Sequence, residues 1–341
     1  MDRPKVLLHD HLDGGLRVET ILDLADQHGY KGLPASDPPG LAAWFDQGMS
    51  GSLERYLEAF AHTVGVMQTP DAVERVAYET AIDLAADGVI YAESRFAPTL
   101  LTAGEMDRRA AIEAALAGFR RAESEAGITM RLIVDAMRNL DDSLETARDA
   151  ICFAGDGVVA LDLAGPEAGF PPDDHVAACR LIREANLGLT IHAGEGDGPH
   201  SMWAALQRCG AHRIGHGVAI IEDCKVEDGD IVRLGPLAKY LRDYQVHLEV
   251  APTSNLHTKG WSPAEHPIGA LYRAGFNVGL NTDNRLMSRV TMTDEFDLAK
   301  QHHGFSEGDL HAVTRNAMEA AFCNWDTKRR LLAVIDNAYE A

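Results

Sequence analysis

Cysteine is sparse and unpaired in this sequence. Cys152, Cys179, Cys209, Cys224 and Cys323 are scattered, odd in number and never spaced Cys-x-x-Cys. A disulfide framework and a structural zinc ribbon are therefore not expected, and a reducing cytoplasm suits the pattern. No apolar run approaches the ~18–20 residues of a membrane span. The opening Met1-Asp2-Arg3-Pro4-Lys5 leads into a strand-like run without the long apolar region of a secretory leader. Positive charge is short: 31 Lys and Arg face 52 Asp and Glu, a net charge of −21. Such a surface repels phosphate backbones and anionic lipid, so neither nucleic acid nor membrane is an expected partner. Gly14-Gly15 is not the G-x-G-x-x-G turn of a dinucleotide fold. Internal repeats and low-complexity stretches are also missing.

What is present suits one large domain spanning residues 1–341, with 46% hydrophobic and 24% charged residues. Short β-branched runs alternate with amphipathic segments. The strand-like runs are Val6–His11, Val89–Ala97, Thr129–Ala136, Val158–Gly165, Leu189–Ala193, His212–Gly217, His247–Ala251 and Asn277–Thr282. Helical patterns cover Val18–Gly29, Pro70–Ala86, Arg108–Glu125, Asp173–Asn186 and Ile231–Tyr244. Eight strands separated mostly by helices predict an α/β fold, a (β/α)8 barrel; a doubly wound open sheet is the alternative. Residues 31–69 form an insertion with Pro34, Pro38 and Pro39, then an apolar helical stripe of Leu53, Tyr56, Leu57 and Phe60. It reads as a helical lid hinged on a Pro- and Gly-containing stretch, or as a helix fixed on the barrel rim. Extra helices are expected over Thr293–Ala341.

The polar residues of interest end the apolar strands: His9-Asp10-His11, His192-Ala193-Gly194-Glu195, Gly215-His216-Gly217 and Thr282-Asp283-Asn284. A strand period of two sends His9 and His11 to one side. In a barrel all four ends share the C-terminal face, where such folds keep their sites. Three histidines and an aspartate suit one Zn²⁺ per chain with room for a water. Bound zinc can lower the pKa of water from ~15.7 toward ~7. Glu195 can serve beside it as acid or base, and His216 can hold the water or share its proton. Singly each piece is weak: Asp283 can cap a helix, and His216 can be a turn residue.

Taken together, the chain resembles the adenosine deaminase family of the amidohydrolase superfamily over roughly residues 4–335. The resemblance rests on Leu8-His9-Asp10-His11-Leu12-Asp13-Gly14, Glu93-Ser94-Arg95-Phe96-Ala97-Pro98, Asp162-Leu163-Ala164-Gly165, His192-Ala193-Gly194-Glu195, Arg213-Ile214-Gly215-His216-Gly217, Pro252-Thr253-Ser254-Asn255 and Asn281-Thr282-Asp283. It implies a purine nucleoside substrate and a cytoplasmic enzyme that releases ammonia from adenosine or 2′-deoxyadenosine. It makes His9, His11, His192 and Asp283 the zinc ligands, with His11 also against the substrate. Glu195 would protonate purine N1, and His216 would orient and deprotonate the attacking water, to which Asp283 also bonds. The Gly165 backbone would approach N3, Asp13 the ribose hydroxyls, and Leu53, Tyr56 and Phe60 would gate the pocket.

Three positions depart from the family pattern. Asn284 stands where a second Asp is usual; its amide can donate to N7 without titrating. Ala251 replaces a Cys and reads as packing. Asp10 replaces an apolar residue and should point away from its flanking histidines, into a cap or salt bridge. Alternatives are a deaminase of adenine, aminodeoxyfutalosine or a modified nucleoside, and a non-catalytic ligand-binding relative. The absence of a lysine at any strand end argues against a two-metal site. The His-x-Glu and Pro-Cys-x-x-Cys motifs of base-flipping deaminases are missing, which argues against polynucleotide editing. Oligomeric state is not legible.

Overall fold

The computed structural model describes residues 3–46 and 51–340; Met1, Asp2 and residues 47–50, which fall in the expected hinge stretch, lie outside them. Eight parallel strands form the centre. They are β1 (Lys5–His11), β2 (Val89–Phe96), β3 (Thr129–Met137), β4 (Val158–Ala164), β5 (Gly188–Ala193), β6 (Arg213–His216), β9 (His247–Val250) and β10 (Val278–Leu280), the intervening β7 (Cys224–Glu227) and β8 (Asp230–Leu234) forming a separate hairpin. Each barrel strand lies beside its predecessor. The ring closes where His11 N–H donates to Asp283 O (3.1 Å) and Asp283 N–H donates to His9 O (3.0 Å). Closure, with no reversal of strand order, excludes the doubly wound sheet.

The insertion folds as short helices, Pro38–Phe45, Leu53–Leu57 and Phe60–Val66, with Leu41, Phe45 and Tyr56 buried. Helices Met292–His303, Glu307–Ala320 and Trp325–Glu340 follow the barrel, as expected. The second of them packs Ala317 and Met318 against Val6, Leu8 and Tyr91 beside the closing seam. No helix among the described residues is long and apolar enough to cross a membrane.

One expectation is corrected. Ile231–Tyr244 is not one helix: 224–234 is the β7/β8 hairpin, and the helix is Pro236–Asp243. Asp228 (φ 51°) and Gly229 (φ 82°) both take positive φ, as a two-residue primed turn requires. The β-branched Val226, Ile231 and Val232 then favour strands, and Pro236 starts the helix where its missing N–H costs nothing.

The seam carries a feature that aims the site. Leu7 pairs with Ala92 but Asp10 pairs with Ser94, so β1 spends three residues where β2 spends two. This bulge falls at Leu8 and His9, on the first of the two histidines, and bulges of this kind re-aim side chains beside active sites. Its two consecutive amides, Leu8 N–H and His9 N–H, both donate to the Asn281 side-chain oxygen at 2.9 and 3.0 Å. The Asn281 amide donates in turn to Val250 O at 3.2 Å. One buried side chain thus replaces the ladder bonds that the bulge removes. Asn281→Ala would strand two buried donors and one acceptor at ~1–3 kcal/mol each for unmet groups. The expected loss is ~3–9 kcal/mol in denaturant unfolding, with His9 displaced as well; a loss well under ~1 kcal/mol would show that the seam closes without it.

Candidate active site

At the C-terminal mouth of the barrel the structure brings His9, His11, His192, Glu195, His216, Asp283 and Asn284 together, all buried. Donor atoms of His9, His192, His216 and Asp283 lie within 4.8 Å of one another. His11 belongs to the same cluster: its Nε2 is 3.2 Å from His192 Nε2 and 3.3 Å from Asp283 Oδ1. His9 Nε2 is 3.5 Å from the same Asp283 oxygen. Five candidate donors thus surround one point, and distance alone does not separate ligands from neighbours.

Hydrogen-bond partners do separate them. His9 Nδ1 donates to Glu249 Oε2 at 2.8 Å. His192 Nδ1 faces Asp162 Oδ2 at 2.9 Å, and His11 Nδ1 faces Asp135 Oδ2 at 3.5 Å. A carboxylate only accepts, so Glu249 and Asp162 fix the imidazole protons of His9 and His192 on Nδ1 and leave each Nε2 with a lone pair, whereas the 3.5 Å approach of His11 to Asp135 is too long to do the same. His216 differs. Its Nδ1 lies 3.1 Å from the Asn255 amide nitrogen, which only donates, so its own proton sits on Nε2. The bare Nε2 atoms of His9 and His192, the Nε2 of His11 and an Asp283 carboxylate oxygen therefore converge on one point. His9 Nε2 and Asp283 Oδ1 have no hydrogen-bond partner. Facing lone pairs repel one another, and a cation is what satisfies all four.

The partners are themselves held. Glu249 also accepts from Arg95 Nη2 (2.9 Å), Thr190 Oγ1 (2.8 Å) and Arg213 Nε (2.7 Å). Arg95 spans from Glu249 to Asp162. Burial works to raise the Glu249 pKa, but the Arg213 and Arg95 charges outweigh it and hold the carboxyl well below its usual range. Asp283 Oδ2 accepts from Ser254 Oγ at 2.6 Å. Asp10 points away from its neighbours, as expected, and pairs with Ser94 Oγ (2.8 Å) and Arg285 Nε (2.6 Å).

Glu195 is positioned by a residue that the sequence did not single out. Glu167, buried just after β4, accepts from four successive amides: Gly194 (2.7 Å), Glu195 (3.0 Å), Gly196 (2.7 Å) and Asp197 (3.1 Å). That clamp fixes the turn on which Glu195 sits. Burial raises the Glu195 pKa well above the ordinary value, and Asp283 and Glu167 add to the rise. Glu195 Oε1 has no partner, and its Oε2 lies 3.5 Å from His216 Nε2.

Two contiguous cavities lie over this cluster. The inner one, about 40 Å³, is lined by Leu53, Tyr56, Glu195, His216, Asp283 and Asn284 among others. The outer, about 260 Å³, includes Asp13, Leu100, Asp135, Met137 and Pro166; His11, Leu57, Phe60, Ala164 and Gly165 line both. The inner space suits a water rather than a purine ring. Tyr56 OH is hydrogen-bonded to Ser288 Oγ at 2.8 Å. Asp13 is pushed up to about 7 by burial, and its Oδ1 is unpaired. Asn284 Oδ1 is also unpaired and lies over Gly14, where an added Cβ would come within 2.1 Å of it.

Comparison with known proteins agrees with this geometry. The family model described as adenosine deaminase matches residues 4–338. The adenosine deaminase of Mycobacterium marinum is 50% identical over 337 residues, 96% of this chain and 93% of that one. An adenine deaminase structure from Arthrobacter aurescens superposes with TM-score 0.90 at 24% identity over the whole of both chains, a likeness of fold. An amidohydrolase structure from Burkholderia ambifaria with bound Zn superposes with TM-score 0.88 at 25% identity, covering 99% of this chain and 91% of that one.

Glu249 is the anchor whose loss should be readable in metal affinity. Glu249→Gln keeps the size but cannot accept from both an imidazole and two guanidinium groups. Affinity for the metal should fall ~10–100-fold, the usual cost of losing an orienting partner. Competition with a chelator measures it; unchanged affinity would mean that His9 is aimed by packing alone.

Proposed function

The chain belongs to the adenosine deaminase family, and from that premise we propose how its residues share the work of deaminating adenosine or 2′-deoxyadenosine. The enzyme is a hydrolytic deaminase, converting the 6-amino group to a carbonyl with release of ammonia. We infer one Zn²⁺ held by His9, His11, His192 and Asp283. Three imidazoles and a carboxylate suit zinc. Donors ~2.0–2.2 Å from a tetrahedral ion lie ~3.3–3.6 Å apart, and three of the donor pairs, His11–His192, His11–Asp283 and His9–Asp283, are 3.2, 3.3 and 3.5 Å apart. When bound, such an ion supplies a water acidified enough to attack carbon at neutral pH.

The remaining residues handle the purine. Glu195, kept protonated by burial, delivers its proton to ring N1, which makes C6 a better electrophile without a full anion on the ring. His216 holds the attacking oxygen by donating from Nε2, and the proton that the water gives up passes to the Asp283 carboxylate beside it and from there to the departing ammonia. The orienting half of the role expected of His216 has support in this tautomer, whereas taking the water's proton would need a bare Nε2. Gly165 (φ 96°) brings backbone toward N3. Asn284 reads N7, Asp13 meets the sugar hydroxyls, and Leu53, Tyr56 and Phe60 cover the base. The observation that carries the reading is a buried carboxyl, its pKa raised by that burial, beside a convergent set of acceptors and under an apolar cover. No lysine or arginine is among the described residues lining either cavity, while Asp13 and Asp135 are. That favours an uncharged nucleoside over a nucleotide.

Ammonia release from adenosine, 2′-deoxyadenosine, adenine, AMP and 7-deazaadenosine, with elemental analysis, tests the whole. One zinc per chain and preference for the nucleosides are expected; two metals, both required, or faster turnover of AMP would overturn the assignment. Loss of N7 leaves a buried amide unpaired at ~1–3 kcal/mol, so 7-deazaadenosine should be slower by ~5–150-fold. Equal rates would remove Asn284 from substrate recognition.

Glu195→Gln should keep its zinc and lose ~10²–10⁴-fold in kcat, since an amide cannot transfer the proton. In the wild type the raised pKa keeps the active, protonated form present at neutral pH, and it is lost as pH rises through that value. kcat/KM should therefore fall on the alkaline side. A near-normal kcat in the variant would place the acid elsewhere.

A further inference from the structure

The tautomer that sets His216 apart has a structural origin outside the residues assigned above. We propose that Asn255 and His266 form a positioning relay that fixes the His216 ring with its proton on Nε2. The inference deepens the reading of His216 as the group beside the attacked carbon, and rests on that reading.

The chain of bonds runs in one direction. It starts at a group that can only donate: Ile268 N–H donates to His266 Nδ1 at 3.2 Å. A neutral imidazole with an accepting Nδ1 carries its proton on Nε2. His266 is neutral, because burial pushes its pKa down to about 3, with His303 adding to the fall. Its Nε2 lies 3.3 Å from Asn255 Oδ1 and donates to it. That bond settles which end of the Asn255 amide faces which histidine. The amide nitrogen is left to donate to His216 Nδ1 at 3.1 Å, and the His216 proton is left on Nε2, toward Glu195. Asn255 and His266 are both buried, so no bulk water competes for these bonds. Asn255 also sits one residue after Ser254, which holds Asp283. One short helix, Pro252–Lys259, therefore positions both a metal donor and the water-orienting histidine. Thr253 N–H of its first turn is tied to the buried Glu295 carboxylate at 3.0 Å.

Asn255→Asp tests the relay with almost no change of shape. A carboxylate accepts from His266 as before but offers nothing to His216 Nδ1, which must then carry the proton and bare its Nε2. In the zinc-loaded enzyme kcat should fall ~10²–10⁴-fold, the range seen when a catalytic imidazole is held in the wrong tautomer, with KM and zinc content little changed. ¹⁵N NMR of His216 should show a protonated Nε2 in the wild type and a protonated Nδ1 in the variant. A second pair covers the case in which Asn255→Asp folds poorly. His266→Gln keeps a donor toward Asn255 and should retain most activity, whereas His266→Leu frees the amide to turn and should lose at least ~10-fold. Wild-type His216 protonated on Nδ1, or equal kcat in the Gln and Leu variants, would overturn the relay. An active His216→Ala enzyme would instead overturn the reading of His216 beneath it. An inactive His216→Ala together with a fully active Asn255→Asp would sink the relay alone.

Discussion

Glu249 sits inside the barrel out of reach of water and accepts from His9, Arg95, Thr190 and Arg213. Taking a carboxylate and two guanidinium groups out of water costs several kcal/mol per ion, and breaking such a set leaves an unpaired buried charge worth ~3–5 kcal/mol. The network therefore holds together as a unit or fails as one. Its product is direction: His9 and His192 each have Nδ1 against an acid and Nε2 turned toward the centre of the cluster. A barrel core made only of aliphatic layers would be cheaper to bury, but it would leave both imidazoles free to rotate. Arg95, reaching both Glu249 and Asp162, ties the orientation of His9 to that of His192.

The same mouth stores backbone strain. Among the described residues only six other than glycine have positive φ, and His216 (60°) and Asp283 (57°) are two of them. Left-handed backbone at such residues costs on the order of 1–3 kcal/mol each and persists only where the surroundings impose it. Here the surroundings are the closing seam for Asp283 and the Asn255 bond for His216. Room for the side chains comes from glycine. A Cβ on Gly215 would lie 3.1 Å from the His9 ring and 3.2 Å from the His192 Cα. Gly14 and Gly215 thus leave the spaces that the Asn284 side chain and the His9 ring occupy.

The barrel was legible because parallel strands buried on both faces read as apolar runs, and their polar ends announced the mouth. His9, His11, His192, Glu195, His216, Asp283 and Asn284 all converge where those ends placed them. The hairpin was missed because Ile231–Tyr244 carries a helical apolar spacing, and the Asp228-Gly229 turn was not weighed against it. Glu249 left a signal that went unread: a charged residue inside the short apolar strand His247–Val250 must have buried partners. Glu167 and His266 left none of that kind. Their roles depend on which backbone amides and which neighbouring side chain the fold brings to them, and neither follows from strand or helix spacing. The beta-bulge at Leu8–His9 was likewise invisible, since period-two reasoning gives the same answer for His9 and His11 whether or not a bulge falls at the first of them.

Four histidines of identical chemistry surround one point, and what distinguishes them is the atom behind each ring. Where the neighbour is a carboxylate, as for His9 and His192, the proton is drawn outward and a lone pair faces the centre. Where it is an amide nitrogen, as for His216, the lone pair is drawn outward and a proton faces the centre. The first kind can hold a cation and the second can hold an oxygen that the cation has acidified. A shift of one proton between ring nitrogens would turn one kind into the other, at no cost in shape. The division between nitrogens that offer a lone pair and the one that offers a proton is therefore written in the residues behind the rings. Those residues have to be as rigid as the rings, which accounts for ionic and hydrogen-bonded partners buried behind the imidazoles where an ordinary barrel would need only aliphatic packing.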